Sequence, residues 1–181
     1  MDIHKVRFTN LQQEVLRFLF VKPDIKFTER SLARNLDVSP TAVSNSLAGL
    51  EKENLVKVAR DKESGRLSIE LNRENPRIFS MKRVENLRNI YESGLADYLS
   101  DKFPGSTIII FGSYSYGEDS SSSDIDIAVI GSSKKSLDAE KFEKTLERKV
   151  SVNFYESIGG IRKNLRENIL NGIIISGGVK L

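Results

Sequence analysis

Residues 106–130 read STIIIFGSYSYGEDSSSSDIDIAVI. An apolar run closes on Gly112-Ser113, a polar loop follows, and Asp124 and Asp126 then alternate with isoleucines. Short apolar runs bounded by turn residues read as buried strands, so STIIIFGS and DIDIAVI predict two strands. Successive side chains on a strand point to opposite faces. Asp124 and Asp126 therefore share one face, with Ile125 and Ile127 on the other. Adjacent carboxylates repel unless a positive charge lies between them, and a divalent cation with oxygen ligands, Mg²⁺ first of all, is the usual remedy. The Gly112-Ser113 turn leaves backbone N–H groups and a hydroxyl where no Cβ blocks approach, which suits phosphate oxygens. A phosphate cradle beside metal carboxylates points to nucleotide chemistry.

With ten residues between Ser113 and Asp124, the stretch GSYSYGEDSSSSDIDIAV resembles the signature of the polymerase-β nucleotidyltransferase superfamily, and residues 84–176 look most like its minimal members. The resemblance implies a mixed sheet flanked by helices. It implies that Gly112 and Ser113, with Ser123 beside them, hold the phosphates of a nucleoside triphosphate, ATP in the first instance. Asp124 and Asp126 would be the catalytic carboxylates that bind Mg²⁺ or Mn²⁺ during transfer of a nucleoside monophosphate. Two departures stand out. Tyr116 occupies the place where many minimal members carry an arginine before the glycine. The third carboxylate, expected on the strand VSVNFYE after the helix Leu137 to Lys149, has Ser151 and Asn153 as its candidate positions, and Asn153 is the expected metal ligand. Asn offers a carbonyl oxygen but neither charge nor useful basicity. Glu156 has the opposite parity on a regular strand.

Composition limits the other chemistries. The 181 residues contain no cysteine and the single His4, which removes disulfides, thiolate nucleophiles, Cys-ligated zinc and His-rich metal sites. No apolar stretch approaches a membrane span, and MDIHKVRFTN lacks the apolar region of a secretory signal, so a cytoplasmic protein without membrane contact is expected. Residues 1–82 hold 15 Lys/Arg against 11 Asp/Glu, leaving 13 against 14 in the remainder. The basic excess lies in the first half, as suits an N-terminal contact with nucleic acid.

That half reads helix, helix-turn-helix, hairpin. LQQEVLRFLFV has helical spacing and is stopped by Pro23; Glu29 to Leu36 follows Thr28 as cap; Thr41 to Lys52 follows Ser39 as cap with Pro40 at the first position. Val43, Leu47 and Leu50 face a core, leaving Thr41, Ser44, Asn45 and Ala48 outward. LVKVAR and RLSIELN, joined by the turn-rich DKESG, predict a β-hairpin. Residues 8–72 resemble the winged helix-turn-helix domains of MarR-type regulators. By that resemblance Thr41, Ser44 and Asn45 approach base edges of DNA, Arg60, Lys62 and Arg66 on the wing meet phosphates, and the protein is a homodimer.

The expected whole is an α+β chain of two domains, a winged helix over 1–80 and a small nucleotidyltransferase fold over 81–181. The long helical pattern Val84, Leu87, Ile90, Tyr91, Leu95, Tyr98, Leu99 opens the second domain, and Ile161, Leu165, Ile169 and Leu170 mark an inward helix face before a last strand, IIISG. Two functions compete. One is a Mg-dependent nucleotidyltransferase coupled to DNA binding, with an acceptor that includes a protein. The other is a transcription regulator or antitoxin, with a toxin as partner, whose transferase domain only binds nucleotide.

Overall fold

The computed structural model describes residues 8–60, 65 and 67–179. They fall into two units, Met1–Phe79 and Ser80–Leu181, each built on its own sheet. The architecture is α+β.

In the first unit, α1 (Asn10–Val21) starts with a capping box: the Thr9 hydroxyl accepts from Gln12 N at 3.2 Å, and Thr9 N donates back to Gln12 Oε1 at 2.9 Å. After β1 (Phe27–Thr28), Thr28 caps α2 (Glu29–Asn35) by accepting from Ser31 N at 3.2 Å. Ser39 does the same for α3 (Pro40–Lys52), accepting from Ala42 N at 3.2 Å. Val43, Leu47 and Leu50 of α3 are buried, as their spacing predicts. Strands β2 (Val56–Arg60) and β3 (Leu67–Leu71) pair antiparallel with Val58 opposite Ile69, and β1 adds to the far side of β3. The two-residue β1 was not expected, because it is too short to show a period of two.

Helix α4 (Pro76–Glu92) runs across the boundary between the units. The single long helix expected here is in fact broken: Gly94 adopts φ 77°, open to glycine at little cost, and α5 (Leu95–Lys102) begins after it. Val84 and Tyr91, expected on the apolar stripe, are 69% and 50% exposed. The stripe of α4 that the second unit buries is Lys82, Asn86 and Ile90, spaced four apart.

The second sheet is formed by β4 (Thr107–Phe111), β5 (Ile125–Ile130), β6 (Val150–Tyr155) and β7 (Ile173–Ser176) in the order β6-β5-β4-β7. The β4 strand is antiparallel to both neighbours, whereas β5 and β6 run parallel and are joined through α7 (Glu140–Leu146). The short helix α6 (Gly112–Tyr116) directly follows β4. One sheet face packs Ile108, Ile110, Ile125 and Ile127 against α5; the other packs Ile109, Phe111 and Ala128 with Ile161 and Ile169. Ile169 belongs to α8 (Lys163–Leu170), whose Leu170 is exposed rather than inward. Ile125 and Ile127 are fully buried, worth about 1.5–3 kcal/mol each. That exceeds the repulsion of two partly solvated carboxylates, about 1 kcal/mol at contact distance in water. The strand can thus carry its aspartates on the opposite face.

Candidate functional site

Antiparallel pairing sets Phe111 opposite Asp126, so the residue after Phe111 arrives beside that carboxylate. Gly112 has φ 71°, and a Cβ placed on it would lie 2.9 Å from Asp126 Oδ2. Both facts demand glycine: the left-handed backbone, and the space taken by the carboxylate. The Gly-Ser turn and the second aspartate are therefore in direct proximity. Ser113 is half-buried, and the Glu118 N–H donates to its carbonyl at 3.0 Å.

Asp124 lies immediately before β5 and is exposed, while Asp126 is half-buried. Desolvation raises the Asp126 carboxyl above its ordinary value, and the charge on Asp124 raises it further. Among the described residues neither aspartate forms an ion pair, and no group of three acidic or imidazole side chains comes together to hold a metal. Two carboxylates with unrelieved mutual repulsion, and an adjoining turn into which no side chain fits, match an oxygen-bound divalent cation. Ser123 precedes Asp124; its hydroxyl accepts from Ser120 N at 2.9 Å and closes the serine turn. A depression of about 540 Å³ opens beside this loop, lined by Ser121, Ser122, Ser123, Asp124 and residues of α7.

The parallel register orders the two candidate positions on β6. Ser151 pairs with Asp126, and Asn153 pairs with Ala128, one step further along the strand. Both share the face of the aspartates, and the residue directly beside Asp126 is Ser151. Glu156 lies past the end of β6 and is exposed. Tyr155, which parity also assigns to this face, has its phenol pushed up by desolvation and then by the Asp126 charge. The parity of β6 was the available signal for Tyr155.

In the first unit Thr41, Ser44, Asn45 and Ala48 are all exposed along α3, and Arg60 is exposed at the end of β2. Lys62 and Arg66 lie outside the described residues. Sequence patterning overlooked a third polar group. Asp119, in the loop between α6 and β5, is 1% exposed and ion-paired to Lys82 of α4, itself 1% exposed. Asn86 Nδ2 donates to Asp119 Oδ1 at 2.7 Å and to the Tyr114 carbonyl at 2.9 Å. Arg148 Nη2 reaches Asp119 Oδ2 at 3.5 Å. Burial, followed by the Asp119 charge, pushes the Tyr114 phenol up.

Residues 92–176 match the family model for a nucleotidyltransferase domain, and residues 8–68 match the model of the MarR family. No curated protein sequence matches the chain. Among solved structures, the adhesin competence repressor AdcR from Streptococcus pyogenes is similar at 21% identity and TM-score 0.41, over 53% of this chain and 68% of that one. The S. aureus MepR–DNA complex is similar at 25% identity and TM-score 0.38, over 52% of this chain and 65% of that one. A variant of Lactococcus lactis ZitR is similar at 23% identity and TM-score 0.39, over 57% and 67%. Among the described residues no helix is long and apolar enough to cross a membrane.

Proposed function

We propose that the second unit binds a nucleoside triphosphate, with ATP as the first candidate, together with Mg²⁺ or Mn²⁺, and transfers its nucleoside monophosphate to an acceptor. The observation that carries this reading is the approach of Gly112 to Asp126, which sets a phosphate-sized turn against paired carboxylates. A divalent ion, when bound, supplies charge neutralisation at the phosphoryl oxygens. Asp124 and Asp126 hold it; Gly112 and Ser113 offer backbone N–H groups and a hydroxyl to the outer phosphates. In the reaction the acceptor oxygen bonds to the α-phosphorus, the bond to the bridging oxygen breaks, and pyrophosphate leaves. The acceptor's proton passes to solvent, since Ser151 beside Asp126 is no base at neutral pH.

The same serine favours a second reading, in which the unit binds nucleotide without turnover and the chain is a regulator or an antitoxin that engages a toxin. The first unit is proposed to bind DNA as a homodimer, with α3 toward the bases and Arg60 toward a phosphate, in keeping with its match to the MarR family.

Calorimetry with ATP and GTP, with and without Mg²⁺, tests the site: Mg-dependent binding by the full chain that weakens by about a hundredfold in the Asp124→Asn, Asp126→Asn double variant is expected. Incubation with labelled NTP and cell extract then decides between transfer and silent binding. Arg60→Ala is expected to weaken retardation of all DNA fragments alike and lower the salt dependence, whereas Asn45→Ala changes the preference among fragments.

A further inference from the structure

The loop from Gly117 to Asp124 joins the two halves of the candidate site, since Gly112-Ser113 stands before it and Asp124 ends it. Within it the Ser123 N–H donates to the Ser120 carbonyl at 3.2 Å, the Ser120 N–H to the Ser123 hydroxyl at 2.9 Å, and the Ser120 hydroxyl contacts those of Ser122 and Ser123 at 3.1 and 3.0 Å. Asp119 ties the loop to distant elements of the unit. That carboxylate is sealed from water and held from two separate elements, by Lys82 and Asn86 of α4 and by Arg148 just before β6. Through its second hydrogen bond, Asn86 also holds the Tyr114 carbonyl inside α6, so one side chain fixes both the turn helix and the loop.

Stability does not explain such a cluster. Two buried cations against one carboxylate require desolvation that their attraction repays only with excellent geometry, and apolar residues of similar volume usually serve as well or better. What an apolar replacement cannot do is fix the loop by directional bonds to named atoms. Lys82 and Asn86 also fall between the two segments, 8–68 and 92–176, that match family models. This half of the cluster belongs to the connecting helix of this chain.

We infer that Asp119 is a positioning residue, and that Lys82, Asn86 and Arg148 hold it so that the Gly112-Ser113 turn and Asp124 keep the spacing needed to bind Mg²⁺ and a triphosphate together. The inference rests on the nucleotide-binding reading for its ligand, but its geometric content can be measured without any ligand. Made separately in the full chain, Lys82→Met leaves Asp119 one cationic partner and Asn86→Ala leaves it both, and each avoids the severe imbalance of removing the carboxylate. Amide hydrogen exchange is read in the absence of nucleotide and Mg·ATP affinity by calorimetry, with Lys82→Arg as the conservative control.

Exchange at Glu118, Ser120 and Ser123 should rise about tenfold or more in both variants while Ile127 and Val129 of β5 keep their protection. Mg·ATP affinity should fall by about tenfold in the folded protein, with part of it recovered in Lys82→Arg. Uniform acceleration across the unit, or unchanged loop exchange, overturns the inference, because the cluster is then ordinary packing. So does selective acceleration with wild-type Mg·ATP affinity. If the wild type binds no nucleotide while the loop still responds selectively, the nucleotide reading fails and the lock stands as a geometric device for another ligand of the same turn and carboxylates.

Discussion

The second unit keeps its carboxylates in two opposite ways. Asp119 is sealed inside the protein with two cations and an amide facing it, whereas Asp124 and Asp126 stand at a surface turn with each other's negative charge as company. The first arrangement is electrostatically finished; the second waits for a charge from outside. Burial alone does not distinguish a working acid from a structural one. The more buried carboxylate is the one whose partners are already supplied by the fold.

The contrast is broken most forcefully by removing the sealed charge. Asp119→Asn removes the buried carboxylate that Lys82 and Arg148 share, and we expect it to cost about 3–5 kcal/mol of unfolding free energy in the second unit. Denaturant unfolding followed by a probe in that unit checks it. The Asp124→Asn, Asp126→Asn double variant should do the reverse: unchanged or greater stability, with Mg-dependent ATP affinity lower by about a hundredfold, some 2.7 kcal/mol. If both variants lose stability alike, the distinction between the two sets of carboxylates collapses.

Ser151→Asp sharpens the comparison, since the register puts the new carboxylate directly beside Asp126. Affinity for Mn²⁺ is expected to rise by about tenfold, and any nucleotidyl transfer with it, while Asn153→Asp, opposite Ala128, gains less. Equal gains would show that β6 is shifted by two residues when metal binds.

The smallest effect concerns pH. The Asp126 carboxyl titrates above its ordinary value in the folded state. The folded protein therefore holds a proton that the unfolded chain has already released, and stability falls as pH rises through that interval. Asp126→Asn should accordingly be more stable than wild type at neutral pH, by a few tenths to about 1 kcal/mol given its partial solvation. The advantage should disappear below the ordinary carboxylate value. Thermal melts at pH 7 and at low pH without divalent metal test this; an equal advantage at both would remove the electrostatic account.

Much of this fold is legible in the sequence, and the exceptions have identifiable physical causes. Thr28 and Ser39 announced their helices because capping is local chemistry, and Gly112-Ser113 with the alternating aspartates announced the turn and strand that meet at Asp126, because strand parity is a two-residue rule. Register between β5 and β6 was not legible. Ser151 and Asn153 have the same parity, and only the parallel crossover through α7 decides which one meets Asp126. Lys82 escapes the sequence pattern for another reason. Apolar periodicity counts a lysine as surface and assigns the stripe to Val84 and Tyr91, which the structure leaves exposed. A buried ionic stripe is invisible to a hydrophobicity pattern.

The place of β7 bears on how the unit is made in the cell. Synthesis delivers Gly112, Asp124 and Asp126 early, yet β4, the strand leading into that turn, pairs on one side with β7, where Ile108 meets Ser176 and Ile110 meets Ile173. Until residues 173–176 emerge, a nascent chain carries the complete signature on a sheet with one apolar edge uncovered, and such edges are templates for unwanted pairing. Within this sheet β7, the latest of its four strands in chain order, thus guards the edge of the earliest, β4. A chain interrupted before Ile173 is expected to aggregate although every residue of its candidate site has already been synthesised.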